Sequence, residues 1–298
     1  MICRSDPYVG PRHGRSPVRK STALDSDSLR GTLKNRRLRW TGNDESRLPV
    51  YQSEPPPVSL APDQPKPIRG IEASDLNVVF QPIVEIATGR LFAQEALVRC
   101  KIPMFENPVA LFERAVTEQA CGRLGRVIRE VAFARCPGVP LFVNIHPSEL
   151  SARWLVRPDD PVFFHDSDVY LEITESAAFS HFELCFGVLK EVCSRAGAFL
   201  VVDDFGAGYS NLKRIIDLQP KVVKLDRTLI ARLDRDRRQQ ILVRYMVDLC
   251  GELGSTVVAE GIETLDELKA CRDCGAQYGQ GFLLARPAFP APRVEWPL

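Results

Sequence analysis

From residue 78 onward the chain falls into short runs of β-branched and apolar residues: "VVFQPIV", "LFAQEALVR", "PLFVNIH", "VYLEIT", "FLVVDDF", "VVKLD", "TVVAEG" and "YGQGFLL". Each reads as a strand, and most are separated by stretches of helical period, at 108–135, 180–196, 228–253 and 264–274. Strands alternating with helices form a parallel sheet with helical crossovers, and eight such strands predict an α/β fold, a (β/α)8 TIM-like barrel. The first two runs are joined only by "EIATGR", too short for a crossover helix. That first strand pair is therefore expected to be antiparallel and the barrel a modified one.

A strand in a parallel barrel is buried and should be almost wholly apolar. Every one of the eight runs breaks that rule: the exceptions are Gln81, Glu95, Asn144, Glu172, Asp203 with Asp204, Lys224, Glu260 and Gln280, mostly near the C-terminal end of the run. In a barrel those ends converge on one face, where active sites form. Five carboxylates in one mouth repel each other and lose hydration, costs recovered only beside positive charge. Oxygen donors without clustered His or Cys point to hard cations, Mg2+ or Mn2+. The adjacent pair Asp203 and Asp204 can ligate two neighbouring ions.

Composition separates the first 70 residues from the rest. There Lys and Arg outnumber Asp and Glu 13 to 7, against 26 to 31 in residues 71–298, and 10 of the 23 prolines lie in it without any sustained apolar period. Residues 1–70 are expected to be a disordered Arg/Pro-rich segment and linker, and residues 71–298 the folded domain. The pieces "PRHGRSPVRK" and "KNRRLRW" read as solvated tail, so no nucleic acid polymer is expected as a partner. No signal-peptide core and no apolar run of roughly 18 residues is present, which predicts a cytoplasmic protein with no membrane partner. The nine cysteines are odd in number and scattered, as small buried residues in a reducing compartment are, and the lone Cys271-x-x-Cys274 has no second pair. The histidines, His13, His146, His165 and His181, show no ligand spacing and are expected on loops or the surface. A nucleophile elbow and a Walker loop are both absent, which removes serine hydrolases and P-loop enzymes.

The chain from about 75 to 288 resembles the EAL-domain phosphodiesterases that linearise the bacterial messenger cyclic di-GMP. The signature tripeptide stands as Glu95-Ala96-Leu97, and "FQPIV", "FVNI", "LEITES", "DDFGAGYSNL", "KLDR", "VAEGIET" and "GQGFLLARP" follow the family's order. The resemblance implies metal ligands at Glu95, Asn144, Glu172 and Asp203, with Asp203 and Asp204 reaching a second ion. It places Lys224 and Glu260 beside the attacking water, Arg99 on a phosphate, and Gln81 and Gln280 on substrate or water. Glu175 resembles the carboxylate that anchors the loop 205–212, through which the family packs a second subunit, so a homodimer is expected. Two positions depart from the family: "CKIPMFENPVALFERA" follows Arg99 where a tryptophan and a longer loop are usual, Cys100 standing for the tryptophan, and Ala207 replaces the common Thr.

The function implied is a metal-dependent hydrolase, using two Mg2+ or Mn2+ ions, that converts cyclic di-GMP to linear pGpG in bacterial second-messenger signalling. The alternative is a catalytically weak or inactive module acting as a cyclic di-GMP receptor or protein-interaction domain.

Overall fold

The computed structural model describes residues 66–151, 155–174, 182–207 and 212–298. Eight strands close a barrel in chain order: β1 (Leu76–Glu85), β2 (Leu91–Cys100), β3 (Leu141–Asn144), β4 (Val169–Thr174), β5 (Phe199–Phe205), β6 (Val222–Leu225), β7 (Thr256–Ala259) and β8 (Tyr278–Gly279). From β2 to β8 neighbours are parallel. β1 is antiparallel to β2, as the short link requires, and its reversal makes it antiparallel to β8 as well.

The helices are α1 (Pro108–Thr117), α2 (Cys121–Arg135), α3 (Pro147–Ser151), α4 (Phe182–Ala196), α5 (Leu212–Leu218), α6 (Arg227–Ile230), α7 (Arg237–Glu252) and α8 (Leu265–Asp273). The helical stretch expected over 108–135 is two helices, because Gln119 turns the backbone with φ 51° between them. α7 begins where the Asp236 carboxylate accepts the amides of Arg238 and Gln239. α8 begins on a capping box, Thr264 accepting from Glu267 N while Glu267 Oε2 accepts from Thr264 N. α3 and α5, five and seven residues long, are too short to show a period of their own. Among the described residues no helix is long and apolar enough to cross a membrane.

The barrel is filled in layers. Its floor is Ile83, Ala93, Phe142, Tyr170, Val201, Val222 and Val258, with Tyr278 packed against them. The Phe142 and Tyr170 rings stack there with centroids 4.3 Å apart. Side chains two residues apart share a strand face. Stepping two residues toward the mouth from each floor position therefore gives the next layer: Gln81, Glu95, Asn144, Glu172, Asp203, Lys224, Glu260 and Gln280. On β1 the step runs backward because that strand is reversed. The alternate positions, among them Phe80, Leu171, Val202, Val223 and Val257, face outward into the core under the helices. Eight of the nine polar exceptions thus form one ring, one from each apolar run, standing on an apolar floor, and Asp204 is the ninth.

Candidate metal centre at the barrel mouth

Lys224, 1% exposed, is the hub of the ring. Its Nζ lies 2.7 Å from Glu172 Oε1 and from Glu260 Oε1, 3.1 Å from Asp203 Oδ1 and 3.5 Å from Glu95 Oε1. One ammonium thus serves four carboxylates, three from β2, β4 and β5 and one, Glu260, from the residue just past β7. Burial alone would lower its pKa, but the surrounding carboxylates more than offset that and hold it well above the ordinary lysine value.

The amides brace this arrangement. Gln280 Nε2 donates to Glu95 Oε2 at 2.7 Å and to Gln81 Oε1 at 3.2 Å, and Gln81 Nε2 donates to the Ala285 carbonyl at 3.1 Å. Asn144 Nδ2 donates to Glu172 Oε2 at 3.2 Å, leaving the Asn144 carbonyl oxygen as a neutral donor for a cation. Gly281 lets β8 close on β7, since a Cβ there would overlap the backbone of Ile262.

Asp204 follows Asp203 with φ 55°, a left-handed conformation uncommon outside glycine that swings its carboxylate to the mouth. Oxygens of Asp203, Asp204 and Glu260 lie within 4.8 Å of one another. The turn is completed by Ala207 N donating to Asp204 O at 3.2 Å and by Gly206 at φ 104°, where a Cβ would overlap Leu229.

The electrostatics are those of a site short of positive charge. Burial, followed by the charges of Glu95 and Asp203, pushes Glu172 well above the carboxylate range despite Lys224. Glu260 is pushed up to about 8, by burial first and then by Asp203 and Glu95. Asp204 rises to about 6, by burial and then by Asp203. Glu172 Oε1 and Asp203 Oδ1 are buried, and each is met by the Lys224 ammonium, at 2.7 and 3.1 Å. Four carboxylates sharing one ammonium, three carboxylates with oxygens close enough to reach one ion and an all-oxygen donor set fit a hard divalent cation.

The ring brings together Gln81, Glu95, Asn144, Glu172, Asp203, Lys224, Glu260 and Gln280, with Asp204 beside it at the mouth. Arg99 shares the inner face of β2 with Glu95, two steps nearer the mouth, but its Nη1 donates to the neighbouring Val98 carbonyl at 2.8 Å. Glu175 and residues 208–211 of the loop expected to meet a second subunit lie outside the described residues. His146 and His165 are on loops as expected, but His165 is not a surface residue: its side chain is 2% exposed and stacks on Phe133. Sequence reasoning missed the rim. A cavity of about 240 Å3 opens on Gln81, Glu95, Glu260 and Gln280 and is walled by Asp226, Arg227, Glu263 and Phe282. All four lie within the motifs "KLDR", "VAEGIET" and "GQGFLLARP", but as flanking residues outside the strands, Asp226 capping α6, they had no period to point them at the mouth.

A protein-family model described as the EAL domain matches residues 68–287. The cyclic di-GMP phosphodiesterase PA2567 of Pseudomonas aeruginosa is 30% identical over 233 residues, covering 74% of this chain and 40% of that relative, so the chain spans well under half of its length. The calcium/cyclic di-GMP complex of Klebsiella pneumoniae BlrP1 superposes with TM-score 0.61 at 33% identity, over 72% of this chain and 56% of that one. The manganese/cyclic di-GMP complex of the same protein superposes with TM-score 0.62 at 32% identity over the same shares.

Proposed function

Because this chain belongs to the EAL domain family, we propose that it is a divalent-metal-dependent phosphodiesterase that hydrolyses cyclic di-GMP to linear pGpG in the bacterial cytoplasm. The observation that carries the proposal is the ring itself, eight polar side chains at one level of the barrel in which four carboxylates share the single ammonium of Lys224.

In this reading Glu95, Asn144, Glu172 and Asp203 hold one ion, and Asp203 with Asp204 a second, each Mg2+ or Mn2+. Bound there, the ions supply Lewis acidity toward a phosphoryl oxygen and a lowered pKa for water. Lys224, held as an ammonium, donates rather than accepts and bears on the charge developing at the phosphorus. Glu260, whose carboxylate bound cations would keep ionised, takes the proton of the attacking water. Gln81 and Gln280 hold Glu95 in place and face the substrate, and Arg99 turns from the Val98 carbonyl to a phosphate when one arrives. Glu175 anchors the loop 205–212, through which two copies pair; α5 carries Leu212 and Ile216, 48% and 58% exposed, next to it. The domain boundary near residue 70 belongs to the same proposal.

A receptor that binds the dinucleotide without cutting it is the second reading. It is favoured by the shortened stretch after Arg99 and by the arginine's engagement with Val98. Incubating the full chain with cyclic di-GMP and Mg2+ or Mn2+, beside a Glu95→Ala control, and separating the nucleotides by chromatography decides between them. Linear pGpG from the wild type alone supports the enzyme; measurable binding without product supports the receptor.

A further inference from the structure

Outside the ring, one cluster of buried charge has no part in the chemistry above. Arg129 on α2 is 1% exposed, and its Nε and Nη2 donate to the two oxygens of Asp160 at 3.0 and 2.7 Å. Its Nη1 donates to Glu149 Oε2 at 2.8 Å. Glu149 and Asp160 are both fully buried, so one guanidinium stands against two carboxylates. Asp160 Oδ1 also accepts from Val162 N at 3.1 Å. Gly125, one turn before Arg129, gives Glu149 its room, since a Cβ there would overlap the carboxylate. Apolar side chains of similar volume hold a core at least as well as a buried ionic cluster, so its energetics do not account for it.

Its geometry does. The second oxygen of Glu149, Oε1, accepts the amide of His146 at 3.1 Å. Ile145 N still bonds along the barrel, to the Glu172 carbonyl at 2.9 Å. His146 is the next residue, where the chain has left β3, and it stands two residues past Asn144, whose side chain reaches Glu172 in the ring. We infer that Arg129 is a positioning residue: through Glu149 it pins the β3–α3 turn at His146 and thereby holds the Asn144 side chain in the ring, ready for a cation. The inference rests on the reading of the ring as a metal centre.

The test titrates Mn2+ into the full chain, following the free ion by electron paramagnetic resonance. Four proteins are compared: wild type, Glu149→Gln, Asp160→Asn, and Val243→Ala as a control that loosens the core at α7. Circular dichroism melts record the stability of each. Loss of a group that orients a metal ligand costs about 10-fold or more in metal affinity, and that is the effect expected for Glu149→Gln. Asp160→Asn, one bond further away, should weaken Mn2+ in the same direction by less, and it carries the test if Glu149→Gln does not fold. Val243→Ala should melt lower and bind Mn2+ as the wild type does. Without metal, the Asn144 side-chain amide resonance should shift in Glu149→Gln and stay in place in the control. Wild-type Mn2+ affinity in both charge variants, or an equal loss in the control, would overturn the inference. A wild type that binds no Mn2+ would overturn the metal reading and this inference with it.

Discussion

Lys224 Nζ and Glu172 Oε1 lie 2.7 Å apart at the centre of the barrel, both closed off from solvent. Removing one partner of such a buried pair strands the other, at a typical cost of about 3–5 kcal/mol. Lys224→Met should therefore lower the melting temperature more at pH 8 than at pH 5, where the carboxylates can protonate, and should cut turnover at least about 100-fold with the loss of the ammonium. A melting temperature independent of pH in this variant, measured by circular dichroism, would contradict the role of Lys224 as the ring's counter-charge.

The raised carboxyls fix the sign of the pH dependence. Asp204 and Glu260 have folded-state pKa values of about 6 and about 8, above their ordinary 3.8 and 4.5. The folded protein therefore binds more protons than the unfolded chain in that interval. The stability these groups contribute is complete below about pH 4 and is lost as pH rises through 6 and 8. With metal chelated, the melting temperature should fall between pH 5 and pH 8, and Glu260→Gln should flatten part of that slope. Saturating Mn2+ should flatten it further, since a bound cation favours the ionised carboxylates. A slope of opposite sign in the chelated protein would refute the assignment.

Gly206 carries φ 104° beneath Leu229. Gly206→Ala meets both an unfavourable backbone and an overlap, so destabilisation of about 1–3 kcal/mol is expected. Because the same turn aims Asp204, Mn2+ affinity should fall as well. Adding Leu229→Ala should relieve the overlap and leave the backbone strain, recovering only part of the loss in a denaturant titration.

The floor under the ring gives a contrasting case. Phe142 is fully buried two residues before Asn144. Phe142→Ala opens a cavity costing about 3–5 kcal/mol, read from chemical denaturation. With Tyr170 still covering the floor, the surviving folded protein should keep a measurable Mn2+ affinity, unlike Glu95→Ala.

The ring was legible from sequence for a simple reason. In buried strands polar residues are rare enough that Gln81, Glu95, Asn144 and their counterparts stand out, and a period of two keeps each on the inner face. The antiparallel β1 was legible from the length of "EIATGR". Nothing comparable marks the rest. Glu263 and Phe282 reach the mouth from loops and Arg227 from the first position of the four-residue α6, where no period constrains direction. Arg129 reads as one more charge in the arginine-rich α2. Its burial depends on Glu149 and Asp160, which lie 20 and 31 residues away and meet it only after folding. That Lys224 is the shared counter-charge likewise needed distances, because it is merely one more polar residue in an apolar run until the four carboxylates are seen around its ammonium.

The account is tested most directly by incubating cyclic di-GMP with the full chain and Mn2+ in 18O-labelled water and weighing the products by mass spectrometry. It predicts linear pGpG carrying one 18O on its terminal phosphate, formed by the wild type and absent with Glu95→Ala or after chelation of the metal. Cyclic di-GMP recovered intact from protein that demonstrably holds Mn2+ would contradict it.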